Sequence, residues 1–145
     1  MDILTKERRS WNMARIRPKN TKPGMVVRRP LYGLGYRYRL HSAQLIGKPD
    51  IVFSSRKKVI FVHGCFWHRH ERCRFAYNPK TRKEFWQNKF QANVRRDREV
   101  HVKLMERGWQ IMVVWECEVG NFAELAQKLM DFLENKPNNL AIRTV

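Results

Sequence analysis

Carboxylates are scarce in this 145-residue chain: 13 Asp and Glu stand against 30 Lys and Arg, for a net charge of +17. The shortage is uneven. Between Arg8 and Pro49 there are eleven Lys and Arg and no acid, so Asp50 is the first carboxylate after Glu7. A field of this size favours a polyanion, most often nucleic acid. A membrane surface fits less well, because no long amphipathic helix with a clean basic face can be traced. No apolar run approaches the length of a membrane span, and MDILTKERRS has no leader-like hydrophobic core. A cytoplasmic protein is therefore expected. Cysteine is also rare, and three cannot make a paired disulfide framework. In a reducing compartment, clustered Cys and His point to metal instead. Internal repeats and low-complexity stretches are absent, and the length suits one domain with 43% apolar residues for a core.

Residues 1–20 read as a basic arm or short helix carrying Trp11, Met13 and Ile16. Thr21 and Pro23 mark a helix start, with Met25, Val26 and Leu31 inward to about Leu34 and a kink or early end at Pro30. Tyr36 to Leu40 alternates as a half-buried strand. Ile51 to Phe53 and Val59 to Val62 read as strands joined by a polar hairpin, the second apolar on both faces and so central. Thr81 and Glu84 suggest a capping box for a helix from about Arg82 to Arg107, its inward stripe of Trp86, Phe90, Val94 and Leu104 interrupted by charges. Trp109 to Trp115 is a further buried strand. Asn121 and Glu124 form a second capping box, before a helix with Phe122, Leu125, Leu129, Phe132 and Leu133 on one face. The main domain spans 21–136, and 137–145 reads as a loose polar tail. The expected architecture is α/β, a central mixed sheet flanked by helices.

The chemistry concentrates in Val59 to Cys73, where a strand runs into VHGCFWHRHERC. His63, His68 and His70 lie here, in a chain with five histidines, together with Cys65 and Cys73. Cys65, His70 and Cys73 suit a structural zinc ion, with Cys117 as fourth ligand if its strand lies alongside. The ordinary alternative is buried cysteine. Pro49-Asp50 precedes a strand pair ending in Phe61-Val62-His63. Nucleases of the PD-(D/E)XK type put a metal-binding Asp in such a place, because Mg²⁺ prefers oxygen ligands. Alone, an Asp after Pro is more often a turn residue.

Gly47-Lys-Pro-Asp50, the string Val62-His-Gly-Cys-Phe-Trp-His68, Thr81-Arg-x-x-Phe-Trp86 and Val114-Trp-Glu-Cys117 occur in order. Together with Asn12-Met13 and Asn20-Thr21 they resemble the very short patch repair (Vsr) DNA mismatch endonucleases over roughly residues 5 to 134. The resemblance implies a fold like the type II restriction endonucleases, with a structural zinc site. It implies a Mg²⁺-dependent nick 5′ of the thymine in a T:G mismatch left by deamination of 5-methylcytosine. It makes Asp50 and the Val62 carbonyl the Mg²⁺ ligands, His68 the general base, and His63 a neighbouring or phosphate-contacting group. Cys65, His70, Cys73 and Cys117 become the zinc ligands. Phe66, Trp67 and Trp86 match aromatics that wedge into the base stack, with Met13 and Ile16 entering from the minor groove. The implied partner is mismatched double-stranded DNA, bound by a monomer that works beside other mismatch-repair proteins.

Three departures stand out: Gly24 replaces the family's usual Glu, Pro30 interrupts the same helix, and two residues rather than one separate His70 from Cys73. The first two keep open a catalytically impaired, zinc-stabilised DNA-binding protein. A restriction-type nuclease of other specificity is a further alternative.

Overall fold

A computed structural model describes residues 22–42, 44–134 and 142–144. The chain order is helix α1 (Lys22–Gly33), strands β1 (Arg39–Leu40), β2 (Ile51–Phe53) and β3 (Lys58–His63), helix α2 (Lys83–Glu106), strand β4 (Gln110–Trp115), a 3-10 turn (Glu116–Glu118), helix α3 (Phe122–Glu134) and strand β5 (Ile142–Thr144). The strands form one mixed sheet in the order β1-β2-β3-β4-β5. β1, β2 and β3 pair antiparallel, while β3, β4 and β5 are parallel. The parallel β3–β4 pair needs a crossover, which α2 supplies.

The alternation along the strands decides which helix covers which face. Ile51, Phe53, Ile60, Met112 and Val114 point one way, onto Val27 and Leu31 of α1 and Leu125, Leu129, Phe132 and Leu133 of α3. Val52, Val59, Phe61, Ile111 and Val113 point the other way, onto Leu104 of α2 and Trp109. Each side chain buried here contributes about 1.5–3 kcal/mol. The ammonium of buried Lys58 donates to the carbonyls of Phe132 and Leu133, and the guanidinium of Arg56 donates to Leu133 O at 3.0 Å. These cations satisfy the free carbonyls that end α3.

The sequence-based expectations for α1 and β1 need adjusting. Val27 and Leu31, one turn apart, are the buried face of α1, whereas Met25 and Val26 are only half-buried. The helix continues through Pro30 and ends at Gly33, where Leu34 N donates to Pro30 O at 2.9 Å. Strand β1 keeps only Arg39 and Leu40, though Tyr36 and Tyr38 pack against the core as the alternation predicts.

Farther along, the box at Thr81 and Glu84 does not form. Arg82 is the N-cap, in the left-handed region at φ 53°, so both residues sit one place out of register. Half of the box at Asn121 and Glu124 forms, the Glu124 N–H donating to Asn121 Oδ1 at 3.4 Å, and the two side chains also meet, the Asn121 amide donating to Glu124 Oε2 at 2.9 Å. Phe122 is exposed and lies outside the α3 stripe. Within the segment read as a loose tail, Ile142–Thr144 pairs in parallel with Ile111–Val113. The arm at residues 1–20, with Met13 and Ile16, lies outside the described residues.

Candidate active site and metal centre

Parallel strands that end side by side leave a crevice at their carboxyl ends, and α/β proteins place their chemistry there. His63 closes β3 opposite Trp115, which closes β4. Asp50 precedes β2, whose antiparallel pairing brings it to the same end. Its Oδ2 accepts the Val62 amide at 2.7 Å, and His41 Nδ1 lies 3.9 Å from its Oδ1. Burial raises the Asp50 pKa, opposed by the Val62 amide and by the charges of His41 and His68. Asp50 thus lies close enough to His68 to feel its charge.

The loop after His63 is tightly wound. His68 N donates to Gly64 O and His70 N to Cys65 O, both at 3.1 Å, while Arg69 and Arg72 take left-handed conformations. Helix α2 clamps this loop from outside. Asn93 donates to Trp67 O at 3.1 Å, and Asp97 Oδ2 lies 2.7 Å from His68 Nδ1. The bond to Asp97 fixes the His68 ring and leaves Nε2 free when Nδ1 carries the proton. Burial disfavours the Asp97 carboxylate, but the hydrogen bond and charge of His68 outweigh that, and its pKa falls below the ordinary value.

His63 stacks on His68 with ring centroids 3.8 Å apart and planes 7° from parallel. Burial, with the charges of His68 and His101 added, pushes the His63 pKa down to about 3, so this ring is neutral at ordinary pH. His101, one turn beyond Asp97, lies parallel to His63 at 6.2 Å and against Phe61 at 5.3 Å. Its pKa is lowered too, by burial first. His63, His68, Asp97, His101 and Trp115 line a cavity of about 460 Å³ between α2 and the sheet. The donor atoms of His63, His68 and Asp97 lie within 4.8 Å of one another, a separation an ion would accept. Stacking forbids it, because the two lone pairs lie in parallel planes with no shared point.

A second cluster contains a single imidazole and so has no such stacking between ligands. Cys65, His70, Cys73 and Cys117 offer four ligand atoms within 4.8 Å of one another, and Cys117 Sγ is 3.4 Å from His70 Nδ1. A tetrahedral site with ordinary zinc bond lengths has a sulfur–nitrogen edge of about 3.5 Å. All three thiols are free of disulfides. Burial and the neighbouring Cys65 and Cys73 push the Cys117 thiol up to about 12. The His70 ring is braced against Trp115 at 4.2 Å. These residues could hold a metal ion, which would tie the loop to the turn after β4.

Beside this cluster, Phe66 is the hub of an aromatic group, with Trp67 at 5.1 Å, Tyr77 at 4.9 Å, Trp86 at 5.5 Å and Phe90 at 5.1 Å. Phe90 is buried, whereas Phe66, Trp67 and Trp86 keep part of their surface in solvent. All the predicted site residues within the described regions thus gather at one end of the sheet. Asp97, His101 and Asn93 do not figure in the sequence-based reading. Their signal is the i, i+4 spacing of 93, 97 and 101, polar residues beside the inward stripe of α2.

A sequence model of the family described as DNA mismatch endonuclease Vsr matches residues 1–74. The type II nicking enzyme V.XorIIP of Xanthomonas oryzae is 46% identical over 133 residues, 92% of this chain and 97% of that protein. The type II nicking enzyme V.NmeAIP of Neisseria meningitidis is 42% identical over 128 residues, covering 88% and 91%. The DNA mismatch endonuclease Vsr of Escherichia coli is 39% identical over 129 residues, covering 89% and 82%. With identity at this level along nearly the whole chain, the protein belongs to the Vsr family of DNA mismatch endonucleases.

Proposed function

We propose that the protein nicks one strand of duplex DNA 5′ of the thymine in a T:G mismatch, with Mg²⁺ as cofactor and zinc in the Cys65–His70–Cys73–Cys117 site. The observation that supports this reading is Asp50, bonded to the Val62 amide at the carboxyl end of the sheet, with the Asp97-anchored His68 and a half-exposed aromatic cluster on the loop that follows. His68 accepts the proton of the attacking water at Nε2, while Asp97 steadies the imidazolium that forms. Neutral His63 stacks on that ring and restricts its orientation. Asp50 and the Val62 carbonyl would hold Mg²⁺, which offsets phosphate charge and makes the bound water more acidic. Among the described residues Asp50 belongs to no larger donor cluster. A site this sparse suits an ion that keeps much of its water and takes phosphate oxygens as ligands. The first turn of α1 has no acidic residue, Gly24 lying where the family usually has Glu.

Phe66, Trp67 and Trp86 supply recognition by wedging into the stack, which costs less beside a mismatch than in matched duplex. The +17 charge supplies the attraction to the backbone. The restriction-endonuclease likeness is part of the same proposal, supported by the mixed sheet and the position of Asp50. The test is a labelled duplex with one T:G pair, incubated with and without Mg²⁺ beside matched duplex and an Asp50→Asn variant. One Mg²⁺-dependent cut in the T strand, lost in the variant, is expected. Cutting of matched duplex alone would mean another specificity. Binding of the mismatch without a cut would mean a DNA-binding protein that has lost catalysis.

A further inference from the structure

The aromatic group extends past the rings assigned to the wedge. Tyr77 is 61% exposed, and its ring lies 4.9 Å from Phe66 with the planes 31° apart. Its backbone is held in place by one side chain, Arg69. That guanidinium donates to Tyr77 O at 3.0 Å, Ala76 O at 3.0 Å, Asn78 Oδ1 at 2.8 Å and Phe66 O at 3.3 Å. It also lies over the Phe90 ring at 3.9 Å. Four of its five N–H donors are spent on protein oxygens, which leaves Arg69 little to offer a phosphate. It joins the loop that carries the candidate metal ligands to residues 76–78 and sets Tyr77 against Phe66.

The surroundings identify what the exposed ring meets. Arg72, Arg74 and Arg82 are exposed nearby, with Arg74 over Phe75 at 4.8 Å and Arg82 over Phe85 at 4.2 Å. Rings interleaved with guanidinium groups suit a polyanion that also presents planar bases. The patch is continuous with the wedge through Phe66. We propose that Tyr77 is a further base-stacking contact, engaging a base unstacked beside the mismatch, and that Arg69 is the positioning residue that holds it there. This rests on the mismatch-nicking reading above.

The test measures binding of full-length protein by fluorescence anisotropy without divalent metal, on T:G and matched duplexes carrying 2-aminopurine beside the variable pair. Base–aromatic stacking predicts that Tyr77→Ala binds the T:G duplex about fivefold or more weakly. The loss on matched duplex should be smaller, kcat at saturating DNA should stay within about twofold, and the 2-aminopurine signal should change. Tyr77→Phe should bind as the parent does. Arg69→Ala should reproduce the Tyr77→Ala loss, and the double variant should lose no more than Arg69→Ala. Retained metal content would establish that the loop is intact in Arg69→Ala, and Tyr77→Ala tests the contact on its own if it is not. Unchanged binding by Tyr77→Ala, equal losses on both duplexes, or a Tyr77→Phe loss as large as that of Tyr77→Ala each overturn the proposal. In those cases the parent protein still prefers and cuts the mismatch. A parent protein with no such preference overturns the mismatch-nicking reading as well.

Discussion

Replacing Asp97 by Asn changes one atom type and tests the core of the mechanism. The carboxylate lies 2.7 Å from His68 Nδ1, with both side chains mostly shielded from solvent. Unit charges so close would attract by about 6 kcal/mol at an effective dielectric of 20. Desolvation offsets most of that, and a hydrogen bond to a charged group nets about 1.5–3 kcal/mol. Since a general base gains charge as it takes the proton, the loss falls on the rate and not on DNA binding. The expected decrease in single-turnover nicking is about 10- to 150-fold. It approaches roughly 10⁴-fold if the Asn amide donates to Nδ1 and forces the proton onto Nε2. Nicking would be timed at saturating protein on a mismatched duplex, with affinity measured separately without divalent metal. A variant that nicks within about threefold of the parent, or one whose affinity falls in step with its rate, refutes the reasoning.

Other perturbations address the frame and the metal. Cys117→Ser removes one of four ligands and should weaken zinc binding about 100-fold, roughly a quarter of the binding free energy of such sites, as measured by competition with a chelator. Gly47 has φ +77°, and a Cβ there would meet Val100 Cγ1 at 2.3 Å. Gly47→Ala should therefore lower stability by about 2–4 kcal/mol in urea denaturation, from backbone strain plus overpacking. His101 has a lowered pKa in the fold, so unfolding takes up a proton and stability falls as pH drops below the ordinary histidine value. His101→Gln should make stability between pH 7 and 5.5 shallower by at most about 1.4 kcal/mol per pH unit, read from denaturation midpoints.

The parts of this fold legible in the sequence are those whose signal is local and rare. Strands β2, β3 and β4 are short apolar runs bounded by polar turns, and they stand out in a chain this charged. Cys65, His70, Cys73 and Cys117 were readable as a set because they include every thiol in the chain and few other imidazoles compete for the same role. Asp97 was not, because it sits among Arg95, Arg96, Arg98 and Glu99 on α2, where one more charge looks like solvent-facing decoration. Only the position of the helix over the sheet distinguishes it. The Thr81 box failed on backbone geometry, since a left-handed Arg82 moves the helix start by one residue. Strand β5 contains a single apolar residue, Ile142, and its pairing is templated by β4 and not by its own pattern.

Helix α2 carries both Trp86 and Asp97 on one uninterrupted rod. Eleven residues separate them, about 16 Å along the axis at helical rise. In the proposed mechanism, the spacing between the wedge ring and the group that orients the base is thus a fixed ruler, written in backbone hydrogen bonds. Lengthening it by one residue between those positions would rotate one end by about 100° relative to the other. On that reading, moving the cut relative to the wedge would mean rebuilding the rod.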